Sequence, residues 1–89
     1  MPVVSFTSAL QRFMPVADAV VDASTVGEAL AAVFAVQPAL RGYLLDDQGV
    51  LRRHVAIYVG GDCVRDRQRL SDPVGPQDEI HVFQALSGG

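Results

Sequence analysis

Alternating apolar and polar residues mark two segments of the chain, and a period of two predicts β-strands. The first segment runs from His54 to Val59 and the second from Glu79 to Gln84. Two further runs rich in β-branched residues, Val3 to Phe6 and Ala17 to Asp22, predict an opening hairpin connected through residues 8–15. The pattern therefore predicts a sheet that involves both ends of the chain.

A helical period replaces the alternation after the opening hairpin. Thr25 is followed three residues later by Glu28, a capping box in which each side chain accepts a hydrogen bond from a backbone N–H at a helix start. Gln37-Pro38 ends the helix, because the residue before a proline disfavours helical dihedral angles. The apolar face of this main helix consists of Val26, Leu30, Val33 and Phe34.

Shorter elements are predicted between the main helix and the last strand. Leu40 and Leu44 lie on one side of a second short helix, and the polar residues from Asp46 to Gly49 form a turn. Gly60-Gly61-Asp62 is a second turn, after which a returning strand begins at Cys63-Val64. The segment from Arg65 to Gln77 is predicted to be a loop anchored by Leu70.

The predicted order of elements is strand, strand, helix, irregular crossing, strand, strand, loop, strand. One main helix across a mixed sheet of four to five strands is a β-grasp arrangement, which belongs to the α+β class. We expect residues 1–84 to form a single β-grasp domain and residues 85–89 to form a flexible C-terminal tail.

Composition limits the classes of partner. The 89 residues suffice for one small core, and 49% of them are hydrophobic. A net charge of -3 would make a nucleic-acid backbone repel the chain. We expect neither a cleavable leader nor a membrane-spanning segment, and Cys63, as the only cysteine, cannot form an intrachain disulfide. These features predict a cytoplasmic protein without nucleic-acid or membrane partners.

Six stretches of the chain, taken in order, resemble the sulfur-carrier family of the molybdopterin-synthase small subunit and the thiamine-pathway carrier, which is ubiquitin-like. The resemblance covers nearly the whole chain. It is carried by Ser24 to Leu30, Leu51 to Val55, Gly61 to Arg65, Leu70 to Val74, Asp78 to Ile80 and the terminal Ala85-Leu86-Ser87-Gly88-Gly89.

The resemblance implies that the chain is a co-substrate and not an enzyme. In that family an E1-like adenylating enzyme uses ATP and magnesium to activate the terminal carboxylate, and sulfur then replaces the adenylate to give a thiocarboxylate. Gly89 would supply the carboxylate, and Gly88 the narrow backbone that passes through a tight channel. No bound cofactor and no metal site are expected, and the second partner would be a sulfur-accepting synthase or large subunit.

Two positions depart from the common pattern of the family. Gly60 stands where relatives usually have Asn, which preserves turn chemistry. Gln84 stands where many relatives have Pro, and this change leaves the tail less stiff. The sulfur acceptor also stays open: molybdopterin synthesis is the leading pathway, with cysteine, thiamine or natural-product sulfur incorporation as the others.

Partner-binding residues are expected on the sheet face that points away from the main helix. Tyr58, His81 and Phe83 alternate with the core positions, and two aromatic rings on an outer face are typical of a docking surface. Ala85, Leu86 and Ser87 would add tail contacts beyond that face.

The remaining candidate residues have ordinary structural explanations. His54 and Cys63 are expected to be strand residues without a chemical role, and Asp46 and Asp47 to be turn residues without the further ligands a metal needs. Arg65, Arg67 and Arg69 would share one solvated face if their loop were extended, and that face could guide a partner.

Two other functions fit the same sequence. One is a ubiquitin-like protein modifier joined to target lysines through Gly89. The other is a non-catalytic β-grasp binding module in which Gly88 and Gly89 have no role.

Overall fold

The computed structural model describes residues 1–13 and 17–84. It contains five strands and three helices in these ranges. In chain order they are β1 (Val3–Phe6), α1 (Ser8–Phe13), β2 (Ala19–Val20), α2 (Val26–Val36), α3 (Ala39–Leu44), β3 (Val55–Val59), β4 (Asp62–Cys63) and β5 (Glu79–Gln84).

The last strand lies at the centre of the sheet. The strand order is β2-β1-β5-β3-β4, so β5 pairs with β1 on one side and with β3 on the other. Pairing with β1 is parallel, with Phe6 opposite Val82, and pairing with β3 is antiparallel, with Ile57 opposite the same residue. A mixed five-stranded sheet with one longer helix confirms the predicted β-grasp arrangement.

One face of the sheet forms the core together with the helices. Ile80 and Val82 of β5 are fully buried, as are Val4 of β1 and Ile57 of β3. The buried residues of α2 are Val26, Ala29, Leu30 and Val33, while α3 contributes Leu40 and Leu44. This confirms the predicted inward face of both helices, with Phe34 only partly buried at its margin.

Four elements differ from the sequence prediction. Residues 8–13, predicted as part of a connection, form α1, whose Leu10 is fully buried. The second strand is only Ala19–Val20 because β1 pairs with it at two positions, not over the six predicted. The third strand begins at Val55 and leaves His54 in a turn, and β4 ends at Cys63.

The start of α2 is tied to the loop that precedes β5. The capping box is present: Thr25 Oγ1 accepts from the N–H of Glu28 at 3.1 Å, and a carboxylate oxygen of Glu28 accepts from the N–H of Ser24 at 2.8 Å. The first two N–H groups of the helix donate to carbonyls of the loop. That of Val26 donates to Asp72 at 3.0 Å, and that of Gly27 donates to Leu70 at 2.8 Å.

Glycine is required at position 27 by the closeness of this contact. A Cβ atom there would lie 3.2 Å from the carbonyl oxygen of Leu70 and 3.4 Å from that of Arg69. Leu70 itself is buried and has a φ of 56°, a conformation that non-glycine residues seldom adopt. The anchoring role predicted for Leu70 is confirmed, and the helix start fixes its backbone.

Two carboxylates hold the loop in its folded shape. Asp66 accepts from the N–H of Arg69 at 2.9 Å and from the hydroxyl of Ser71 at 2.6 Å. Asp72 accepts from the N–H groups of Arg65 and Asp66 at 2.9 and 2.8 Å. Hydrogen bonds from Arg69 and Ser71 hold the pKa of Asp66 at about 2, below its ordinary value of 3.8.

The end of β5 is fixed from the helical side. Gln84 lies on the same face of the strand as Val82, and its side-chain oxygen accepts a hydrogen bond from the hydroxyl of Tyr43 at 2.7 Å. The ring of Tyr43 meets His54 edge to face, with centroids 5.8 Å apart. Helix α3 is thereby linked both to the last residue of β5 and to the segment that enters β3.

Within the described residues, the longest helix has 11 residues, and no helix is long and apolar enough to cross a membrane.

We expect the stability of the fold to decrease as the pH falls from about 4 to about 2. The folded-state pKa of Asp66 lies below its ordinary value, so its stabilising contribution is complete above that value and is lost as the pH falls through about 2. In Asp66→Asn, stability at neutral pH should be lower than in wild type, and the difference should narrow below pH 4. Urea unfolding at a series of pH values measures this.

Asp47→Asn is the matched control for this experiment. It removes the same charge from an exposed residue whose side chain accepts no hydrogen bond within the described part of the chain. Equal losses of stability in the two variants would contradict the role given to Asp66.

We further expect Tyr43→Phe to lower the free energy of unfolding by about 1 kcal/mol, because it deletes the partly buried hydrogen bond to Gln84 and leaves the ring in place. The chain has only two tyrosines, and Tyr58→Phe is the control, since the Tyr58 hydroxyl has no hydrogen-bond partner among the described residues. Denaturant unfolding of both variants gives the comparison. A loss in Tyr58→Phe as large as that in Tyr43→Phe would show that the bond to Gln84 contributes nothing.

Candidate functional site

The outer face of the sheet carries the side chains predicted to bind a partner. Tyr58 is directly opposite His81 in the β3–β5 pairing, and Phe83 is opposite Ala56. Because side chains alternate along a strand, these residues point away from buried Ile57, Ile80 and Val82. The structure therefore brings Tyr58, His81 and Phe83 together, as the sequence predicted.

Phe83 is the central member of this aromatic group. Its ring meets Tyr58 edge to face with centroids 5.4 Å apart, and it lies 6.4 Å from the ring of His81 at a tilt of 57°. These contacts cover part of each ring, yet Phe83 remains 40% exposed. A large apolar residue that is both held in place and still open to solvent has the properties of a binding anchor.

A shallow depression lies over the aromatic group. We call it the outer-face depression, and it is lined by Ala56, Tyr58, Gly60, His81, Phe83 and Gln84. Its walls are largely apolar, and Gly60 at its margin is in a turn with a φ of 63°. The depression is suited to receive an apolar side chain from a partner protein.

The polar group on this face is His81. Its Nε2 lies 3.3 Å from a carboxylate oxygen of Glu79, two residues earlier on the same strand. The His81 side chain is 34% exposed, and that of Glu79 is 64% exposed. This solvated pair at the margin of the aromatic group is suited to recognition of a partner.

The tail begins where the central strand ends. Gln84 is opposite Val55, the first residue of β3, and so it lies at one end of the sheet. Ala85, Leu86, Ser87, Gly88 and Gly89 lie outside the described residues.

Cys63 lies on the edge strand β4, with β3 between it and β5. It pairs with Tyr58 on the edge strand β4, and its thiol is exposed and unpaired. Gly60, at the β3–β4 turn, lies beside the start of β5, at the other end of that strand from Gln84. Its N–H donates to the carbonyl of Glu79 at 2.9 Å. The position of Cys63 agrees with its interpretation as a strand residue.

The shared face expected of Arg65, Arg67 and Arg69 is not formed. The segment is a turn and not an extended strand, since Leu70 donates to the carbonyl of Asp66 at 2.9 Å. Arg67 Nη2 donates to the carbonyls of Arg52 and Val55 at 2.7 and 2.9 Å. Arg67 therefore supports the start of β3, while Arg65 and Arg69 remain exposed on a different surface.

The described residues contain no group of three or more His, Cys, Asp or Glu side chains placed to hold a metal. Asp46 uses its carboxylate for the turn, accepting from the N–H groups of Gln48 and Val50 at 2.8 and 3.0 Å. These bonds, with the charge of Arg52, lower the pKa of Asp46. The expected turn role of Asp46 is confirmed.

Tyr43 is the residue near the tail that sequence reasoning missed. Its partner Gln84 is 41 positions away, and no local pattern links a tyrosine in a short helix to the end of a distant strand. Helix α1 was also missed, although Ala9, Leu10, Gln11 and Arg12 have high helix propensity and gave a usable signal.

Comparison with known proteins gives a consistent result. The model of the ThiS family matches residues 9–89. The small archaeal modifier protein 1 of Haloferax volcanii is 32% identical over 66 residues, which cover 74% of this chain and 71% of that protein. Its crystal structure superposes with a TM-score of 0.81 at 26% identity, covering 99% of this chain and 98% of that one.

A chain of the BexX/CysO complex of Amycolatopsis orientalis shares the fold, with a TM-score of 0.82, 22% identity and complete coverage of both chains. The fold, the central position of β5 and the family match over residues 9–89 lead to one conclusion. The chain belongs to the ThiS family of ubiquitin-like sulfur carriers and small modifiers.

Proposed function

We propose that this chain is a sulfur carrier that is adenylated and then thiocarboxylated at Gly89. The observation that carries the proposal is the position of β5: the strand that leads into the Gly88-Gly89 end is the central one, held on both sides. The body of the domain thus provides a rigid base, and the residues beyond Gln84 provide the reach. Family membership and a match that extends through residue 89 support the same function.

The chemistry of the proposed cycle has two steps. A carboxylate oxygen of Gly89 attacks the α-phosphorus of ATP, and pyrophosphate leaves. A hydrosulfide equivalent then attacks the acyl carbon, and AMP leaves with the bonding electrons, so that the terminus becomes a thiocarboxylate. An E1-like enzyme with magnesium would supply the catalytic groups, and this chain would supply the acyl group and the docking surface.

Docking would use the outer-face depression. Phe83 is partly exposed, and its ring packs edge to face against Tyr58. Binding would therefore bury apolar surface with little loss of side-chain conformational entropy. We propose that the activating enzyme or the sulfur acceptor inserts an apolar residue there, and that Ala85, Leu86 and Ser87 add contacts along the tail.

The acceptor we propose is a synthase of the molybdopterin pathway. The segment between α2 and β3 supports this choice, because it is long enough to include α3 and a polar turn. Synthases for cysteine, thiamine or natural products are the alternatives, and co-purification with the thiocarboxylated chain identifies the acceptor.

A second function is favoured by one finding, the similarity to small archaeal modifier protein 1. In that case Gly89 would be joined to lysine side chains of target proteins. The two functions predict different products in cells. A modifier gives covalent adducts of higher mass that survive reducing agents and added thiol, whereas a carrier gives one small species with altered mass.

We expect incubation with an activating enzyme, ATP, magnesium and a sulfide donor to exchange one oxygen for one sulfur at Gly89. Intact-mass and fragment spectra locate the change. Cys63→Ser should be charged as well as wild type, because Cys63 is on the edge strand and away from the end of β5. Sulfur found on Cys63, or absence of reaction with every activating enzyme of the organism of origin, would refute the carrier function.

We expect Phe83→Ala to weaken binding to the activating enzyme by about thirtyfold, since truncation of an aromatic anchor often costs about 2 kcal/mol. Val36→Ala is the control, because Val36 is 87% exposed on α2 and lies away from the outer face. Titration calorimetry measures both affinities, and circular dichroism checks the fold. If Phe83→Ala binds with an affinity within about twofold of that of wild type, the outer face is not part of the docking surface.

A further inference from the structure

The strand that carries the tail ends between two exposed arginines. On one side, β1 runs parallel to β5 and is followed by α1, which contains Arg12. On the other side, Arg53 lies two residues before Val55, which pairs with Gln84. Because β5 lies between β1 and β3, Arg12 and Arg53 flank the point where the tail leaves the sheet.

Helix α1 is held close to this end of the sheet. The N–H of Thr7 donates to the carbonyl of Val82 at 3.2 Å, and the side chain of Gln11 donates to the carbonyl of Phe6 at 3.0 Å. Arg12 follows Gln11 directly, so the hydrogen bond from Gln11 to Phe6 also fixes the backbone of Arg12 relative to the end of β1. The helix is six residues long, which places its whole length within about 9 Å along its axis.

Neither arginine has an acidic partner. Arg12 and Arg53 are exposed, and no arginine forms an ion pair within residues 1–13 and 17–84. Nearby Arg52 and Arg67 are already engaged with backbone carbonyls, through Gly42 and through Val55. Arg12 and Arg53 therefore retain unused guanidinium donors beside the root of the tail.

The opposite end of the sheet has the opposite charge. Asp78 and Glu79 lie at the start of β5, and Asp62 lies on β4 opposite Val59. Asp72 lies close to Asp62 and Asp78, and Arg65 is the one basic side chain among the described residues that line the same depression, so carboxylates outnumber basic groups there. The chain thus has a basic end, from which the tail emerges, and an acidic end, although its net charge is -3.

Three acidic residues lie towards this end of the sheet. Asp46 lines the same depression as Arg53, and its carboxylate is occupied by N–H groups of its own turn, at the tip of which lies Asp47. Asp18 precedes β2 on the β1 side and is exposed. None of the three forms an ion pair with Arg12 or Arg53 among the described residues.

We infer that Arg12 and Arg53 form a basic clamp that docks on carboxylates at the mouth of the partner channel that takes up the tail. This inference rests on the proposed function and specifies the partner surface: an acidic protein rim. We do not assign nucleotide phosphates as the target. The nucleotide would react with Gly89, which lies up to about 17 Å from Gln84 when the five intervening residue steps are extended, whereas the arginines lie near Gln84. A nucleic acid is disfavoured by the acidic end of the chain.

The clamp would act mainly on the rate and orientation of association. Charges at the rim of an interface accelerate encounter and lose their effect as salt screens them, with a Debye length of about 10 Å at 0.1 M. The acidic end would at the same time repel an acidic partner surface. The charge distribution therefore selects the encounter in which the tail points towards the channel.

The test compares two double variants with the same change in net charge. Arg12→Ala with Arg53→Ala removes the clamp, and Arg65→Ala with Arg69→Ala removes two exposed arginines from the far loop. With the activating enzyme that charges the wild-type chain, we expect the clamp variant to associate about fivefold more slowly at 20 mM salt, with convergence at 0.5 M. The far-loop variant should stay within about twofold of wild type.

A second arm needs no enzyme. Titration of the free chain with an N-acetylated hexaglutamate peptide, followed by amide resonances, should shift the signals of Arg12, Arg53 and His54, and not those of Gly61 and Asp78. The clamp variant should lose these shifts. A hexauridylate RNA bound more tightly at the same residues would assign the clamp to a nucleic acid and overturn the inference.

The outcomes separate this inference from the proposed function. Failure of every activating enzyme to charge the chain would refute the carrier function, and the peptide arm would still decide whether the arginines bind carboxylates. Normal charging with equal slowing in both double variants would refute the clamp and leave the carrier function standing. Absence of peptide shifts at Arg12 and Arg53 would also refute the clamp.

Discussion

The pairing of β5 with both neighbouring strands is the constraint on which the rest of the structure depends. Its two sets of hydrogen bonds join the first strand of the chain to the third, so the sheet is complete only when the last residues are in place. Such non-local pairing closes long loops. The chain loses conformational entropy on closing them before the strand contacts contribute their stabilisation. The strand that leads to the tail is consequently the one least able to detach from the domain.

The loop before β5 makes this arrangement geometrically possible. Its carbonyls at Leu70 and Asp72 accept the free N–H groups at the start of α2, and Asp66 holds its interior turn. Helix, loop and central strand are therefore connected by hydrogen bonds that would be unsatisfied in any partial structure. Gly27 is part of the same contact, because a larger residue would press on the carbonyl of Leu70.

The two faces of the sheet differ in exposed apolar surface, and its two ends differ in charge. The outer face carries an aromatic group with Phe83 partly exposed, whereas Arg12 and Arg53 are exposed without ion pairs near the end of β5. An apolar anchor mainly determines how long a complex lasts, and peripheral charges mainly determine how fast it forms. The sulfur-carrier cycle that we propose involves two enzymes in turn, and separate surfaces would let affinity and association rate be set independently.

The sequence alone determined the elements whose signals are local. The alternation from Glu79 to Gln84 specified β5 and its two faces, and Thr25 with Glu28 specified the start of α2, because both depend on neighbours within a few positions. Only the tertiary structure decided which strand is central, that Tyr43 bonds Gln84, and that β1 and β3 pair with β5 on its two sides. These relations join residues far apart in the chain, and no periodicity or short motif records such distances.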